Sequence, residues 1–266
     1  MLNTQKVTET IIKNIKKYFK DNGRKTAVVG ISGGKDSLVV AMLLKEALGE
    51  ENVVGILLPE GTQEDLRDSN LVTNLLGIKQ TSFNILPITA NFIDIAFSIM
   101  NKDGELETAN VTDQSRINLR ARIRMATLYY VAQSLDNACV VGTGNAGEIY
   151  VGYTTKYGDS GADVFPIGEL HVDEVLEVGQ YLIDKYFEDT YEGLQLMNIL
   201  NKEPSDGISG KTDEEALGVT YEDIKNVEVN GSCGDKKKDS AIKKMHIASE
   251  HKRKMPPIIK SGVVRK

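Results

Sequence analysis

The chain has 266 residues, 41% hydrophobic and 26% charged, with 32 Lys or Arg against 38 Asp or Glu and a formal net charge of -6. That length supports one substantial core, and the acidic balance argues against a nucleic-acid partner. The two cysteines, Cys139 and Cys233, lack metal-ligand spacing, lysines break up the amino-terminal segment, and no stretch approaches the ~20 apolar residues of a membrane helix, so a cytoplasmic chain without a membrane partner is expected.

Residues 4–20 place Val7, Ile11, Ile12, Ile15 and Phe19 at helical spacing with lysines opposite, which predicts an amphipathic first helix. Residues 27–31 form a β-branched apolar run, a buried strand, and residues 38–44 read as the helix after it. Further strands are expected at 52–59, 81–86 and 137–142. Helices are expected at 63–76, 90–100, 113–134 and 171–187, with short ones at 214–217 and 221–225. A last helix spans 241–252 ahead of a basic tail with Pro256-Pro257. Strands that alternate with helices and are apolar nearly throughout predict an α/β fold, a doubly wound parallel sheet with helices on both faces. No internal repeat or long linker divides the chain, so residues 1–266 read as a single domain. Residues 143–165 are rich in Gly and Tyr and have no period, which marks a functional loop. Residues 201–213 and 230–239 read as mobile loops.

The most informative stretch is Gly30-Ile31-Ser32-Gly33-Gly34-Lys35-Asp36-Ser37, between the first predicted strand and its helix. Glycines let backbone N–H groups crowd around an anion, and the positive end of the helix dipole points at the same spot. Ser32 and Ser37 can bond phosphate oxygens, and Asp36 can hold the Mg2+ that a polyphosphate brings. It is a phosphate cradle but not a Walker A loop, because Lys35 is followed by Asp36 and only three residues separate Gly30 from Gly34. Ligands of parallel sheets sit outside the carboxyl ends of the strands, so the cradle and the loop after Val141 can face one pocket. Glu148 can then be a second carboxylate on the metal. Thr143 either binds the adenine or ribose edge or caps its strand. Arg122 can pair with a phosphate or carboxylate, or belong with Arg116, Arg120 and Arg124 to a solvated charged face.

Ser32-Gly33-Gly34-Lys35-Asp36-Ser37 resembles the S-G-G-x-D-S loop of the ATP pyrophosphatases, which cleave ATP between the α- and β-phosphates. Gly142-Thr143-Gly144-Asn145-Ala146-Gly147-Glu148 and Gly152-Tyr153-Thr154-Thr155-Lys156-Tyr157-Gly158-Asp159 narrow the resemblance to the ammonia-dependent NAD synthetase family. Ala121-Arg122-Ile123-Arg124-Met125, Lys202-Glu203-Pro204-Ser205 with Thr212-Asp213-Glu214, and His251-Lys252-Arg253 match further blocks in order, so the likeness runs from Thr26 to Pro257.

That resemblance implies an adenine nucleotide alpha hydrolase-like fold and a ligase using ATP and Mg2+. Deamido-NAD is adenylated on its nicotinate carboxylate with release of pyrophosphate, and ammonia then displaces AMP to give NAD. It also implies a homodimer. Catalysis would involve Asp36, Glu148 and Lys156, with the metal on Asp36 and Glu148. ATP would contact Gly30, Ile31, Ser32, Gly33, Gly34, Lys35, Asp36, Ser37, Thr143 and Ser205, and residues 201–213 would order around it. Deamido-NAD would meet Arg122, Lys156, Asp163, His251 and Lys252, the last two across the dimer interface. Asp159 or Asp163 would steady the incoming ammonium.

Neither cysteine has a setting suited to an amidohydrolase nucleophile, so free ammonia is the expected nitrogen source. One departure stands out. Val172 occupies the place where relatives often carry a phosphate-binding lysine, leaving Lys35 or Lys211 to supply that charge or the contact to be lost. Alternative readings are another ATP pyrophosphatase, tRNA-modifying or GMP-forming, or a nucleotide sensor without chemistry.

Overall fold

The computed structural model describes residues 2–62, 65–93, 112–202 and 212–259. In chain order these form α1 (Thr4–Asp21), β1 (Thr26–Gly30), α2 (Lys35–Leu48), β2 (Val53–Leu57), α3 (Asp65–Leu76) and β3 (Lys79–Ser82). Residues 86–93 are the described part of α4. Then come α5 (Asp113–Gln133), β4 (Ala138–Val141), α6 (Ala146–Val151), α7 (Val172–Phe187) and α8 (Tyr191–Leu200). The chain continues with α9 (Asp213–Leu217), α10 (Tyr221–Asn230), α11 (Lys236–Ala248) and α12 (Glu250–Arg253).

The four strands lie in the order β3-β2-β1-β4, and every neighbouring pair is parallel. Val28 stands level with Val54 on one side and Val140 on the other. The two faces of β1 follow from side-chain alternation. Ala27 and Val29 point into the main core built by α1, α2, α3, α7 and α8, while Val28 joins Ile56, Ala132 and Val140 under α5. Being buried on both faces is what makes β1, β2 and β4 continuously apolar. The chain steps outward from β1 to β3 and then crosses back to place β4 beside β1. The winding therefore reverses between β1 and β4, and their carboxyl ends open side by side, as a ligand crevice requires.

A satellite cluster of Val151, Val219, Tyr221, Ile224, Val227 and Ile242 joins α6, α10 and α11. Val172 packs against this cluster, so the position where a phosphate-binding lysine was expected is a packing position.

Several elements differ from the sequence reading. The third strand is Lys79–Ser82 rather than 81–86; the Phe83 and Ile85 N–H groups still donate to the Leu57 and Pro59 carbonyls, both at 2.9 Å, before the chain turns helical at 86. Its apolar residues Phe83 and Leu86 are exposed instead of buried. The segment 143–165 is not structureless. It contains α6, and Val164 returns to bridge Val141 in parallel at the free edge of β4. Helix α8 had no counterpart in the reading. Residues 230–239 hold a turn in which the Asp239 carboxylate accepts from the Cys233 N–H at 2.8 Å and the Ser232 hydroxyl at 2.6 Å, and α11 already starts at Lys236. The expected last helix is two, α11 and α12, broken at Ser249.

Candidate active site

The cradle is built where β1 hands over to α2. The Ile31 N–H still donates to the Ile56 carbonyl at 3.0 Å, after which the chain turns. Gly33 has φ of +82°, and a Cβ there would lie 2.6 Å from the Asp65 carbonyl oxygen of α3, so only glycine fits. The Ser37 hydroxyl donates to the Gly34 carbonyl at 2.9 Å and accepts from the Ser32 N–H at 3.2 Å, while the two serine hydroxyls sit 3.1 Å apart. These bonds fix the loop before any ligand arrives. Gly34, the N-cap, brings no side chain, so no capping group covers the first turn of α2. The amides and the dipole there suit an anion.

Across the switch point, α6 begins with a capping box. Asn145 Oδ1 accepts from the Glu148 N–H at 3.0 Å, and the Glu148 carboxylate accepts from the Asn145 N–H at 3.0 Å. The same Asn145, fully buried, donates through Nδ2 to Asp36 Oδ1 at 3.4 Å. One residue thus links the two carboxylates that the sequence singled out, its side-chain amide donating to Asp36 and its backbone N–H to Glu148. Burial pushes both carboxyl pKa values up, and the negative charge of Asp36 raises that of Glu148 further. Lys35, only 6% exposed, answers that charge with its ammonium 3.6 Å from Asp36 Oδ2.

Asp213 is a third acid that sequence reasoning left without a role. It is buried, accepts from the Tyr221 hydroxyl at 3.1 Å, and adds to the raised pKa of both Asp36 and Glu148. Its block, Thr212-Asp213-Glu214, carried the family likeness but no role, because the approach of α9 to the acid pair is tertiary. Asn145 was readable as the start of an N-x-x-E capping box.

The donor set is hard oxygen from two half-buried carboxylates. Among the described residues, no group of three or more His, Cys, Asp or Glu is placed to hold a metal unaided. Mg2+ is commonly held by one or two carboxylates together with substrate phosphates and water, so the Asp36–Glu148 pair beside a phosphate cradle fits that ion.

The remaining expected residues fall into two groups. Thr143 is half-buried at the end of β4. Arg122 Nε donates to the Lys156 carbonyl at 3.3 Å, and the Lys156 ammonium sits 5.2 Å from the centroid of the Tyr157 ring, so these two cations share one rim. Lys252 clamps the turn before them by donating to the carbonyls of Gly152 and Thr154 at 2.7 and 2.6 Å. Asp159 holds the same turn from inside, accepting from the Thr155 N–H at 2.7 Å. His251 is exposed on α12.

Asp163 stands apart. One carboxylate oxygen accepts from the Val140 N–H at 2.8 Å and the other from the Tyr129 hydroxyl at 3.1 Å, so it braces the edge of β4. Its charge and burial together push the Tyr129 hydroxyl and the Cys139 thiol each up to about 12. Ser205 and Lys211 lie outside the described residues. An ion pair of Arg120 with Glu60 and a bond from Arg124 to the Leu58 carbonyl at 3.1 Å occupy the carboxyl end of β2. These two arginines are therefore not a solvated face.

A family model described as NAD synthase matches residues 7–256. The NH(3)-dependent NAD(+) synthetase of Alkaliphilus metalliredigens (strain QYMF) is 39% identical over 252 residues, which is 94% of this chain and 96% of that protein. Among solved structures, the NMN synthetase from Francisella tularensis superposes with a TM-score of 0.81 at 30% identity, covering 97% of this chain and 99% of that one. The NH3-dependent NAD synthetase from Campylobacter jejuni subsp. jejuni NCTC 11168 superposes with a TM-score of 0.75 at 28% identity, covering 98% and 100%.

Proposed function

Since the chain belongs to the NAD synthase family, we infer that it amidates deamido-NAD with ammonia at the expense of ATP. A carboxylate oxygen of the nicotinate attacks the α-phosphorus, the bond to the β-phosphate bridge breaks, and pyrophosphate leaves. The mixed anhydride so formed has AMP as a good leaving group. The ammonia nitrogen attacks the carbonyl carbon, AMP departs, and a proton is released with the amide. Little covalent help is needed from the protein, whose task is to position three reactants and offset phosphate charge. The cradle amides and the α2 dipole receive the departing pyrophosphate. Mg2+, held by Asp36 and Glu148, supplies further charge neutralisation when bound. Arg122 and Lys156 offer cations to the carboxylate or phosphates of the pyridine nucleotide.

The observation that carries this reading is the convergence of Asp36 and Glu148 on Asn145 beside the cradle. The assay is pyrophosphate release with deamido-NAD, ATP, Mg2+ and ammonium. Ammonium is expected to support turnover and glutamine is not. Nicotinic acid mononucleotide should be offered in parallel, because the Francisella tularensis structure is that of an NMN synthetase. Faster turnover of the mononucleotide would reassign the substrate, and no pyrophosphate from either would leave a nucleotide sensor. Both cysteines are free thiols, which fits the reducing cytoplasm we infer for the reaction.

We also infer a homodimer through α5. Of its 21 residues only Ala132 is buried, Tyr130 is 70% exposed, and Phe83, Leu86, Ile88 and Phe92 are exposed on the segment that includes α4. A second copy of this helix covers such a face with matching apolar surface. Sedimentation should give a species of twice 29.2 kDa, and a concentration-independent monomer would refute the pairing.

A further inference from the structure

Lys35 is the least ordinary residue of the cradle. Lysine is among the side chains least often buried, and an ammonium withdrawn from water needs a paired charge. Lys35 is nevertheless 6% exposed. It is also the first residue of α2, the end of a helix where the dipole disfavours a cation. Acid holds it in place. Its Nζ lies 3.6 Å from Asp36 Oδ2, and its charge acts on Glu148 as well. Its ammonium therefore supplies positive charge to the same two carboxylates that the proposed function assigns to the metal.

We propose that Lys35 is a built-in counter-ion of the Asp36–Glu148 pair, which a divalent cation displaces and which then turns to an oxygen of the incoming polyphosphate. The proposal rests on the reading of Asp36 and Glu148 as metal ligands. Two opposite consequences follow from one charge. Without nucleotide, Lys35 repels a cation approaching the acid pair. With the triphosphate in the cradle, the released ammonium has an anion to meet, so the same residue favours the loaded state. Metal and nucleotide then strengthen each other's binding, and linkage makes that coupling reciprocal.

The test uses the full chain and Mn2+ as the probe, titrated by electron paramagnetic resonance with and without α,β-methylene-ATP. Lys35→Gln should bind Mn2+ alone about tenfold more tightly than the parent, since a like charge within a few ångströms is removed from a buried site. Its affinity for the analogue in the presence of Mn2+ should fall by about tenfold, so that the coupling drops roughly a hundredfold. Lys35→Met, which keeps the apolar stem, should behave in the same way.

Unchanged or weaker Mn2+ binding by both variants, beside normal Mn2+ binding by the parent with the analogue, overturns the counter-ion role alone. A parent chain that takes up no Mn2+ even with the analogue overturns the metal-ligand reading and this inference with it. Loss of the fold in both variants, seen by circular dichroism, assigns Lys35 to structure and likewise overturns the proposal.

Discussion

Asp36→Ala is expected to lower pyrophosphate release by about a thousandfold or more while the chain stays folded. The loss follows from what Asp36 touches. It sits in the first turn of α2, 3.6 Å from the Lys35 ammonium, and is tied through Asn145 to Glu148, so it stands where the proposed polyphosphate and metal sites meet. The fold survives for reasons of charge. Asp36 and Glu148 are both half-buried, and desolvation raises the proton affinity of each, with the charge of Asp36 adding to it at Glu148 and that of Asp213 at both, so their ionised forms oppose folding. Removing one acid relieves that repulsion, and Lys35 keeps Glu148 as its partner.

The same pair sets a sign for pH. Both folded-state pKa values lie above their ordinary carboxylate values of 3.8 and 4.5, so the native state binds protons more tightly than the unfolded chain. Their contribution is fully present below those ordinary values and is lost as pH rises through the raised ones. The metal-free parent should therefore show a falling Tm contribution from about pH 4 upward. Asp36→Ala should flatten it, and saturating Mg2+ with ATP should flatten it in the parent. A pyrophosphate-coupled assay and a pH series of thermal melts check both halves. Near-normal turnover by the variant would remove Asp36 from the reaction.

The parts of this molecule that could be read from the chain alone are those written in local chemistry. Ala27 to Ile31 announces a buried strand because both faces of β1 meet apolar layers, and Gly33-Gly34 announces a turn because no side chain fits at Gly33. Asn145 and Glu148 form a capping box three residues apart, so α6 was within reach but was hidden in a segment without a longer period. Strand β3 was misplaced because Phe83, Ile85 and Leu86 look like a strand in isolation, whereas β3 itself is Lys79-Gln80-Thr81-Ser82, held by pairing to β2 with no buried side chain. Tertiary override of that kind leaves no trace in composition. Asp163 shows the opposite limit. A carboxylate in a functional block looks like a substrate contact, and only the fold reveals that it also accepts from the Val140 amide and the Tyr129 hydroxyl. Asp213 lay in a matched block, yet its role was hidden, since its meeting with Tyr221 and the acid pair depends on how α9 and α10 dock.

Gly33→Ala is the second large effect, and it should damage stability and ATP binding together. Two penalties coincide at this position. Its φ of +82° lies in the left-handed region, which costs a side-chain-bearing residue about 1–2 kcal/mol. The added Cβ would also stand 2.6 Å from the Asp65 carbonyl oxygen, 3.1 Å from the Asp68 Cβ and 3.2 Å from the Ser69 amide nitrogen. Backbone cannot yield as a flexible side chain can, so overpacking adds about 1–3 kcal/mol. The amino end of α3 is not free to retreat. Lys202 ties the Asp65 and Asp68 carboxylates to the end of α8, the latter at 2.8 Å. The cradle must then move instead, turning its amides and the Ser32–Ser37 pair away from the phosphate position.

A drop in Tm of several degrees should accompany a rise in the KM for ATP of about a hundredfold, as expected when about 3 kcal/mol of phosphate binding is misdirected. Gly23→Ala is the informative control. Its φ of +62° carries the same backbone penalty, yet nothing stands within 4 Å of the new Cβ and the position lies far from the cradle in the turn after α1. That variant should lose stability and keep its KM. Equal KM values for Gly33→Ala and the parent would show that the turn at Gly33 does not shape the nucleotide site.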